Sequence, residues 1–189
     1  MNMSYRKLAI RAALAMAAGL GISSSTWAAT ATSNVTVSAT VPQTCTVTTT
    51  NVAFGTYDPV TTNSTGGVDL TTTGTPNGSV SVTCTKSSIG VTVDLGVGGN
   101  YLSPNRQMIS GANLLQYQLY QASGTTPAAA CPGTTIWGSG VTGGSLLTPT
   151  TPNWTASTAR VFNICGFIAK GQDVPQGSYT DTVVATVTY

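Results

Sequence analysis

The chain closes with the stretch GSYTDTVVATVTY, residues 177–189. β-Branched and aromatic residues predominate in it, and such residues favour strands. Val183, Ala185, Val187 and Tyr189 lie at every second position, so an extended backbone places them on one face. The stretch contains no Lys or Pro, which commonly protect an edge strand from pairing with other chains. The sequence therefore predicts a strand that runs to residue 189 and presents an unprotected edge.

A second stretch near the other end, ATATSNVTVSATV at residues 29–41, alternates as strictly. Its even positions are uncharged and polar, and Pro42 then interrupts the pattern. A terminal segment of this kind must pair with something, because chain termini are otherwise poorly ordered. Two interpretations stay open: the segment is the first strand of the chain's own sandwich, or it pairs with a different subunit. The odd positions, which are small or β-branched, are Ala29, Ala31, Ser33, Val35, Val37, Ala39 and Val41.

Between these two stretches the chain consists of short, Val/Thr-rich segments separated by Gly, Pro and Asn, the pattern of a β-sandwich or barrel. After residue 28 no segment of useful length has the period of a helix. No shift in composition separates two domains. The sequence therefore predicts a single all-β domain. The predicted strands are residues 45–47, 52–57, 78–85, 89–95, 114–120, 160–169 and 179–189.

The first 28 residues have the order of a secretory signal peptide. Basic residues within 6–11 precede an apolar run at 12–22, which is too short for a membrane span of about 20 residues. The small residues Thr26 and Ala28 fit cleavage after position 28. The alternative, a buried N-terminal helix, lacks a later helix to pack on. We therefore expect export, and a mature chain that starts at Ala29 and is not inserted in a membrane.

The composition argues against two classes of function. The mature chain keeps four basic residues against five aspartates, a net charge of −1. Without a basic surface to attract phosphates, nucleic acid is not an expected partner. The chain has no His, so Ser-His-Asp and Cys-His catalysis are impossible, and the scattered aspartates form no recognisable pair. We therefore expect no enzymatic activity and no cofactor.

Four cysteines occur, Cys45, Cys84, Cys131 and Cys165. An even number of cysteines in an exported chain predicts disulfides. A zinc site is the alternative, but no two cysteines are close in sequence and no His is available, so no metal is expected. Four cysteines allow three connectivities.

Several short motifs follow one another along the mature chain. They are FGTY at residues 54–57, GSVSVTCT at 78–85, YQLY at 117–120, Trp137-Gly138, GFIAKGQ at 166–172 and GSYTDTVVATVTY at 177–189. Each motif is weak by itself, but their order and spacing together resemble the spore coat protein U domain family. That family includes the subunits of archaic, Csu-type chaperone–usher pili. The resemblance spans essentially the whole mature chain, and the C-terminal motif is its most specific part.

The resemblance implies an incomplete immunoglobulin-like β-sandwich that lacks its final strand and is completed by donor-strand exchange. It implies three partners: identical or related pilus subunits, a periplasmic chaperone that fills the gap, and an outer-membrane usher. The subunit would be exported through the periplasm to the cell surface, where the pilus supports adhesion and biofilm formation. A tip adhesin needs an extra receptor domain, so a shaft subunit is favoured.

The resemblance also assigns parts of the chain: a signal peptide at residues 1–28, a donor-strand segment at 29–41 and a pilin domain at 42–189. The expected donor side chains are Ala31, Val35, Val37 and Ala39. The side chains expected to line the acceptor groove are Val183, Ala185, Val187 and Tyr189. The expected disulfides are Cys45–Cys84, since both lie in strand-like runs of the first half, and Cys131–Cys165, which looks like an addition to the commoner pair.

Two other functions remain open from the sequence. One is a secreted coat protein that forms no pili, because the family name includes it. The other is a secreted carbohydrate-binding sandwich, in which exposed Trp137 and Trp154 form a platform for a sugar. For these two tryptophans, packing in the core or under a loop is the favoured expectation.

Overall fold

The computed structural model describes residues 27–72, 78–123, 129–131, 133–150 and 154–189. Most of the predicted signal peptide lies outside the described residues. The chain divides into two compact units, Met1–Ala39 and Thr40–Tyr189. In the first unit, the described residues 27–39 are exposed and belong to no strand or helix.

The second unit is built from strands, and the predicted all-β class is confirmed. The described residues contain no helix, and hence none long and apolar enough to cross a membrane. The strands are β1 (Cys45–Thr50), β2 (Leu70–Thr71), β3 (Ser79–Cys84), β4 (Thr92–Leu95), β5 (Arg106–Ser110), β6 (Asn113–Gln121), β7 (Arg160–Ile168) and β8 (Ala185–Thr188).

These strands form two antiparallel sheets. The larger has the order β1-β3-β7-β6-β5, with β2 also paired to β7, and the smaller consists of β4 and β8. Both contribute to one core, in which Val80, Leu119 and Ile164 of the larger sheet join Val93 and Leu95 of the smaller. The domain is therefore a sandwich whose two layers differ in width.

The period-two alternation of the sequence explains which side chains enter this core. In β3, with the sequence SVSVTC, Val80 and Val82 are fully buried. In β6 the predicted inward face, Leu115, Tyr117 and Leu119, is buried as well. Because successive residues of a strand point to opposite faces, these positions could be predicted without any knowledge of the partner strands.

Several strand predictions differ from the structure, and the two-residue strand β2 was not predicted. Residues 52–57 form no strand, since Gly55 adopts a left-handed φ of 80° that an extended ladder does not allow. Phe54 still packs edge-on against Tyr117, with ring centroids 6.0 Å apart. Strand β5 is absent from the predicted set, because it begins with two polar residues, Arg106 and Gln107, which are nevertheless buried.

The C-terminal segment pairs with both sheets. Thr180 and Ile109 of β5 exchange backbone hydrogen bonds of 2.9 and 3.1 Å, and β8 then pairs with β4. The predicted continuous strand at residues 179–189 is thus interrupted at 181–184, where the chain passes from the larger sheet to the smaller. The last strand nevertheless lies at the edge of its sheet, as predicted.

The four cysteines form two disulfides, Cys45–Cys84 and Cys131–Cys165. Cys45 and Cys84 lie directly opposite each other in the ladder of β1 and β3, with Cα atoms 4.1 Å apart. The first disulfide therefore joins an edge strand covalently to its neighbour. These are the two pairs that the resemblance implies.

Candidate functional site, an open groove between two edge strands

A groove of about 540 Å³ lies between the end of β1, with the residues after it, and the segment 179–185 that leads into β8. Each of these strands is paired on one side only, to β3 and to β4 respectively. The groove is lined from three directions. Its lining residues are Thr49, Thr50, Asn51, Val52 and Phe54 from β1 and the residues after it, Tyr179, Thr180, Asp181, Thr182, Val183 and Ala185 from the C-terminal segment, and Leu95, Met108, Tyr117, Leu119 and Ile164 from β4, β5, β6 and β7.

The inward face of β1 is left partly uncovered. Val47 lies directly opposite Val82, and Thr49 lies opposite Val80. Residues directly opposite in a ladder point to the same face of the sheet. Val80 and Val82 are 0% exposed, yet Val47 is 40% exposed. The core face of the larger sheet therefore lacks cover where it reaches β1.

The inward face of β8 shows the same deficit. Ala185 lies opposite Leu95, and Val187 lies opposite Val93. The two residues of β4 are buried, whereas Ala185 and Val187 are only partly buried. The inward faces of both edge strands are thus incompletely covered, and Thr49 and Ala185 are the inward residues of these strands that line the groove.

The backbone along the groove offers hydrogen-bonding groups as well. The amide of Thr85 donates to the carbonyl of Thr44 at 2.9 Å, next to the Cys45–Cys84 pair. Hydrogen-bonded and non-hydrogen-bonded pairs alternate in an antiparallel ladder. The backbone groups of Cys45, Val47 and Thr49 therefore point away from β3. Across the groove, Val183 makes no backbone hydrogen bond within the described part of the chain.

Of the four residues expected in the acceptor groove, the structure places two in the groove and two outside it. Val183 and Ala185 line it. Val187 packs against the core beyond the groove, and Tyr189 is exposed. The expected donor side chains lie within the described residues 27–39, where Val35 is 85% and Val37 90% exposed.

A polar pair in the groove was not predicted. The hydroxyl of Tyr117 donates a 2.7 Å hydrogen bond to Oδ2 of Asp181. Burial, together with this carboxylate, raises the pKa of the Tyr117 phenol far above its usual value, so the phenol remains a hydrogen-bond donor. Both residues belong to motifs quoted above, YQLY and GSYTDTVVATVTY, and their position in those motifs is the signal that could have identified them.

Arg106 closes the side of the sandwich at β5. Its side chain is fully buried and donates hydrogen bonds to the carbonyls of Leu95, Gly96 and Trp137, and to Oε1 of Gln118. Burial lowers its pKa. One side chain thus connects β5 to the end of β4, to β6 and to the segment around Trp137.

The tryptophans that could have formed a sugar platform are both fully buried. Trp137 donates its indole N–H to the carbonyl of Val93 at 2.9 Å. Trp154 lies under the guanidinium of Arg160, 4.1 Å from the ring centroid. Neither ring is available to stack on a ligand, so this basis for a carbohydrate-binding function is wrong. Among the described residues, no cluster of His, Cys, Asp or Glu could hold a metal ion.

The chain is similar to several known proteins. It matches the family model described as Spore Coat Protein U domain over residues 31–186. It is 37% identical over 190 residues to Protein U of Myxococcus xanthus, covering 94% of this chain and 96% of that protein. It also resembles a chain of the CsuC–CsuE chaperone–tip adhesion subunit pre-assembly complex from archaic chaperone-usher Csu pili of Acinetobacter baumannii, with 23% identity and a TM-score of 0.47. That similarity covers 79% of this chain, which spans 40% of the solved chain's length.

Proposed function

The chain belongs to the spore coat protein U domain family, and from this premise we propose that it is a structural subunit of a secreted surface pilus. Subunits are exported through the periplasm to the cell surface, are assembled by the chaperone–usher pathway, and polymerise by donor-strand complementation. The pilus supports adhesion and biofilm formation, and the subunit has no enzymatic role.

One observation carries this proposal. Inward-facing residues of two edge strands are partly exposed although the residues beside them in the ladders are buried. An additional strand along the groove would cover the end of β1 and the start of β8 at once. It would also pair with the free backbone groups of Val47, Thr49 and Val183. A groove with these properties suits an extended segment better than a compact ligand.

The segment at residues 29–41 has the side chains for this role. Its inward set, Ala31, Val35, Val37 and Ala39, is small or β-branched and fits a narrow cleft, while its even positions face water. Burial of Val35 or Val37 stabilises the fibre by roughly 1.5–3 kcal/mol each. Each new main-chain hydrogen bond contributes about 0.5–1.5 kcal/mol. The segment is the donor strand that completes the next subunit.

An open groove of this kind also calls for a chaperone. Unpaired edge strands and uncovered apolar side chains promote aggregation. A periplasmic chaperone that occupies the groove protects the subunit until an incoming donor segment replaces it at the outer-membrane usher.

The test is a charge on the inward face of the donor segment. Val37→Asp abolishes fibre extension, because the carboxylate would be buried without a partner. The acceptor groove of the Val37→Asp subunit is unaltered, so this variant still folds and binds its chaperone. Thr36→Asp carries the same charge on the outward face and assembles nearly as well as the wild type. Electron microscopy of cells, with co-purification of the chaperone, gives both readouts.

Two results would contradict the proposal. One is equal polymerisation of the two variants. The other is failure of Val37→Asp to bind the chaperone, which would make residues 29–41 part of the subunit's own fold.

A second candidate is a coat protein that forms no pili. It is favoured by the similarity to Protein U of Myxococcus xanthus, which extends over nearly the full length of both proteins. The chain would then be exported and assemble into a surface layer without fibres. Val37→Asp and the wild type would be incorporated into that layer equally, which distinguishes this function from the first.

A further inference from the structure

The groove exists because the C-terminal segment leaves one sheet and joins the other. Thr180 is still bonded to Ile109 of β5, and Ala185 is the first residue of β8 beside β4. Between them, the carbonyl of Val184 accepts a 2.8 Å hydrogen bond from the amide of Gly96. If residues 182 and 183 moved towards β1, they would fill the space that an incoming strand needs.

The side chain of Asp181 holds this crossing in place. Its Oδ1 accepts hydrogen bonds of 2.8 Å from the amides of Gly99 and Thr182, and its Oδ2 accepts the 2.7 Å bond from Tyr117. Gly99 lies in the turn after β4, and Tyr117 lies in the middle of β6. A single carboxylate therefore connects the crossing to both sheets. Hydrogen bonds to a charged acceptor are stronger than those between neutral groups.

The turn after β4 is shaped to receive this carboxylate. Gly98 has a left-handed φ of 87°, and a Cβ atom at this position would overlap Oδ2 of Asp181. Only glycine adopts such a backbone readily and leaves the required space. The close approach of the turn to Asp181 thus depends on Gly98.

We infer that Asp181 is the positioning residue of the acceptor groove: it holds residues 182–184 in the crossing and keeps the groove open while no strand occupies it. This inference rests on the proposed function, because the groove needs to stay open only if a strand enters it. The contacts of Asp181 themselves all lie within one subunit. Asp181 and Tyr117 both line the groove, so any loosening of the pair acts directly on the surface that the donor strand contacts.

The experiment uses the full mature chain carrying Val37→Asp, which removes its own donor segment from competition. The probe is a fluorescent synthetic peptide with the sequence of residues 29–41, and its capture is measured by anisotropy. Asp181→Ala weakens capture by about tenfold or more, because three hydrogen bonds are lost. Asp181→Asn and Tyr117→Phe, which each alter fewer bonds, weaken capture less. Tyr120→Phe, a phenol deletion on the opposite face of β6, leaves capture unchanged.

Thermal unfolding and hydrogen exchange separate positioning from general stability. In Asp181→Ala, the amides of Gly96 and Thr180, at the two ends of the crossing, exchange faster, whereas the amide of Ile164 in the core does not. The inference is wrong if the variants of Asp181 and Tyr117 lower the unfolding temperature but their folded fraction captures the peptide as well as the unaltered chain does. Uniformly faster exchange, or unchanged exchange at Gly96 and Thr180, overturns it as well.

Failure of the proposed function gives a different result. If the folded chain with intact Asp181 captures no peptide, the proposed polymerisation is wrong. The positioning role is then decided by the exchange of Gly96 and Thr180 alone.

Discussion

The strands β1 and β5, at opposite ends of the larger sheet, have edges that differ in how they are covered. At β5 the outer edge is paired with Thr180, and the buried Arg106 connects the strand to three other segments. At β1 the outer edge is unpaired and its inward face is partly exposed. The difference arises because the C-terminal segment first pairs with β5 and then passes to the smaller sheet. One sheet therefore has a closed edge, which stabilises the subunit, and an open edge, which is available for binding.

The largest expected effect concerns the covalent link at the open edge. Replacing Cys45 and Cys84 by Ser lowers the free energy of unfolding by about 4 kcal/mol in the chain-entropy model, and so does replacing Cys131 and Cys165, since the loops are of similar length. Urea denaturation of both double variants measures these values. Capture of the donor peptide should suffer more from loss of Cys45–Cys84, which anchors β1. Equal weakening of capture would show that the open edge does not depend on this link.

At the closed edge, Arg106→Ala is expected to lower the free energy of unfolding by about 3 kcal/mol or more. The variant leaves the buried carbonyls of Leu95, Gly96 and Trp137 without their donor, and each unsatisfied group costs about 1–3 kcal/mol. Arg160→Ala is the matched control, because Arg160 is only partly buried, and its effect should be clearly smaller. Similar losses in the two variants, measured by urea denaturation, would contradict a special role of Arg106.

Two valines opposite each other in one ladder test the comparison directly. Val82→Ala removes a fully buried side chain and should destabilise the isolated subunit by about 2 kcal/mol. Val47→Ala, one strand further out, should cost less than about 1 kcal/mol in the isolated subunit, because Val47 is partly exposed there. In the assembled fibre, dissociation by denaturant should reveal a larger cost for Val47→Ala. If that cost is the same with and without a donor strand, the strand does not cover the inward face of β1.

The smallest expected effect is a dependence on alkaline pH. Because the pKa of Tyr117 is raised in the folded subunit, its stabilising contribution is complete below the unfolded pKa of about 10 and declines as the pH rises above it. The free energy of unfolding should fall by up to about 1.4 kcal/mol per pH unit in that range. Tyr117→Phe should remove this part of the decline, whereas Tyr120→Phe should retain it. Denaturation curves between pH 9 and pH 11 measure the difference.

Local pattern was sufficient for much of the fold. The resemblance drawn from the motifs is confirmed by the family match. The inward residues of β3 and β6 follow from alternation alone. The strand at residues 52–57 was predicted wrongly, because Gly55 takes up a backbone conformation that composition does not reveal. Strand β5 was missed, because arginine is usually an exposed residue, whereas Arg106 is buried.

The sequence by itself determined the class of the fold, since period-two alternation and turn residues act over a few positions. It also determined which termini could form strands, because residues 29–41 and 177–189 carry their pattern locally. Only the tertiary structure decided that the end of β1 and the start of β8, some 140 residues apart in the chain, line one groove. Only it placed Asp181 between Tyr117 and Gly99. These relations depend on the register of distant strands and on where the chain changes sheets, and no local pattern encodes either.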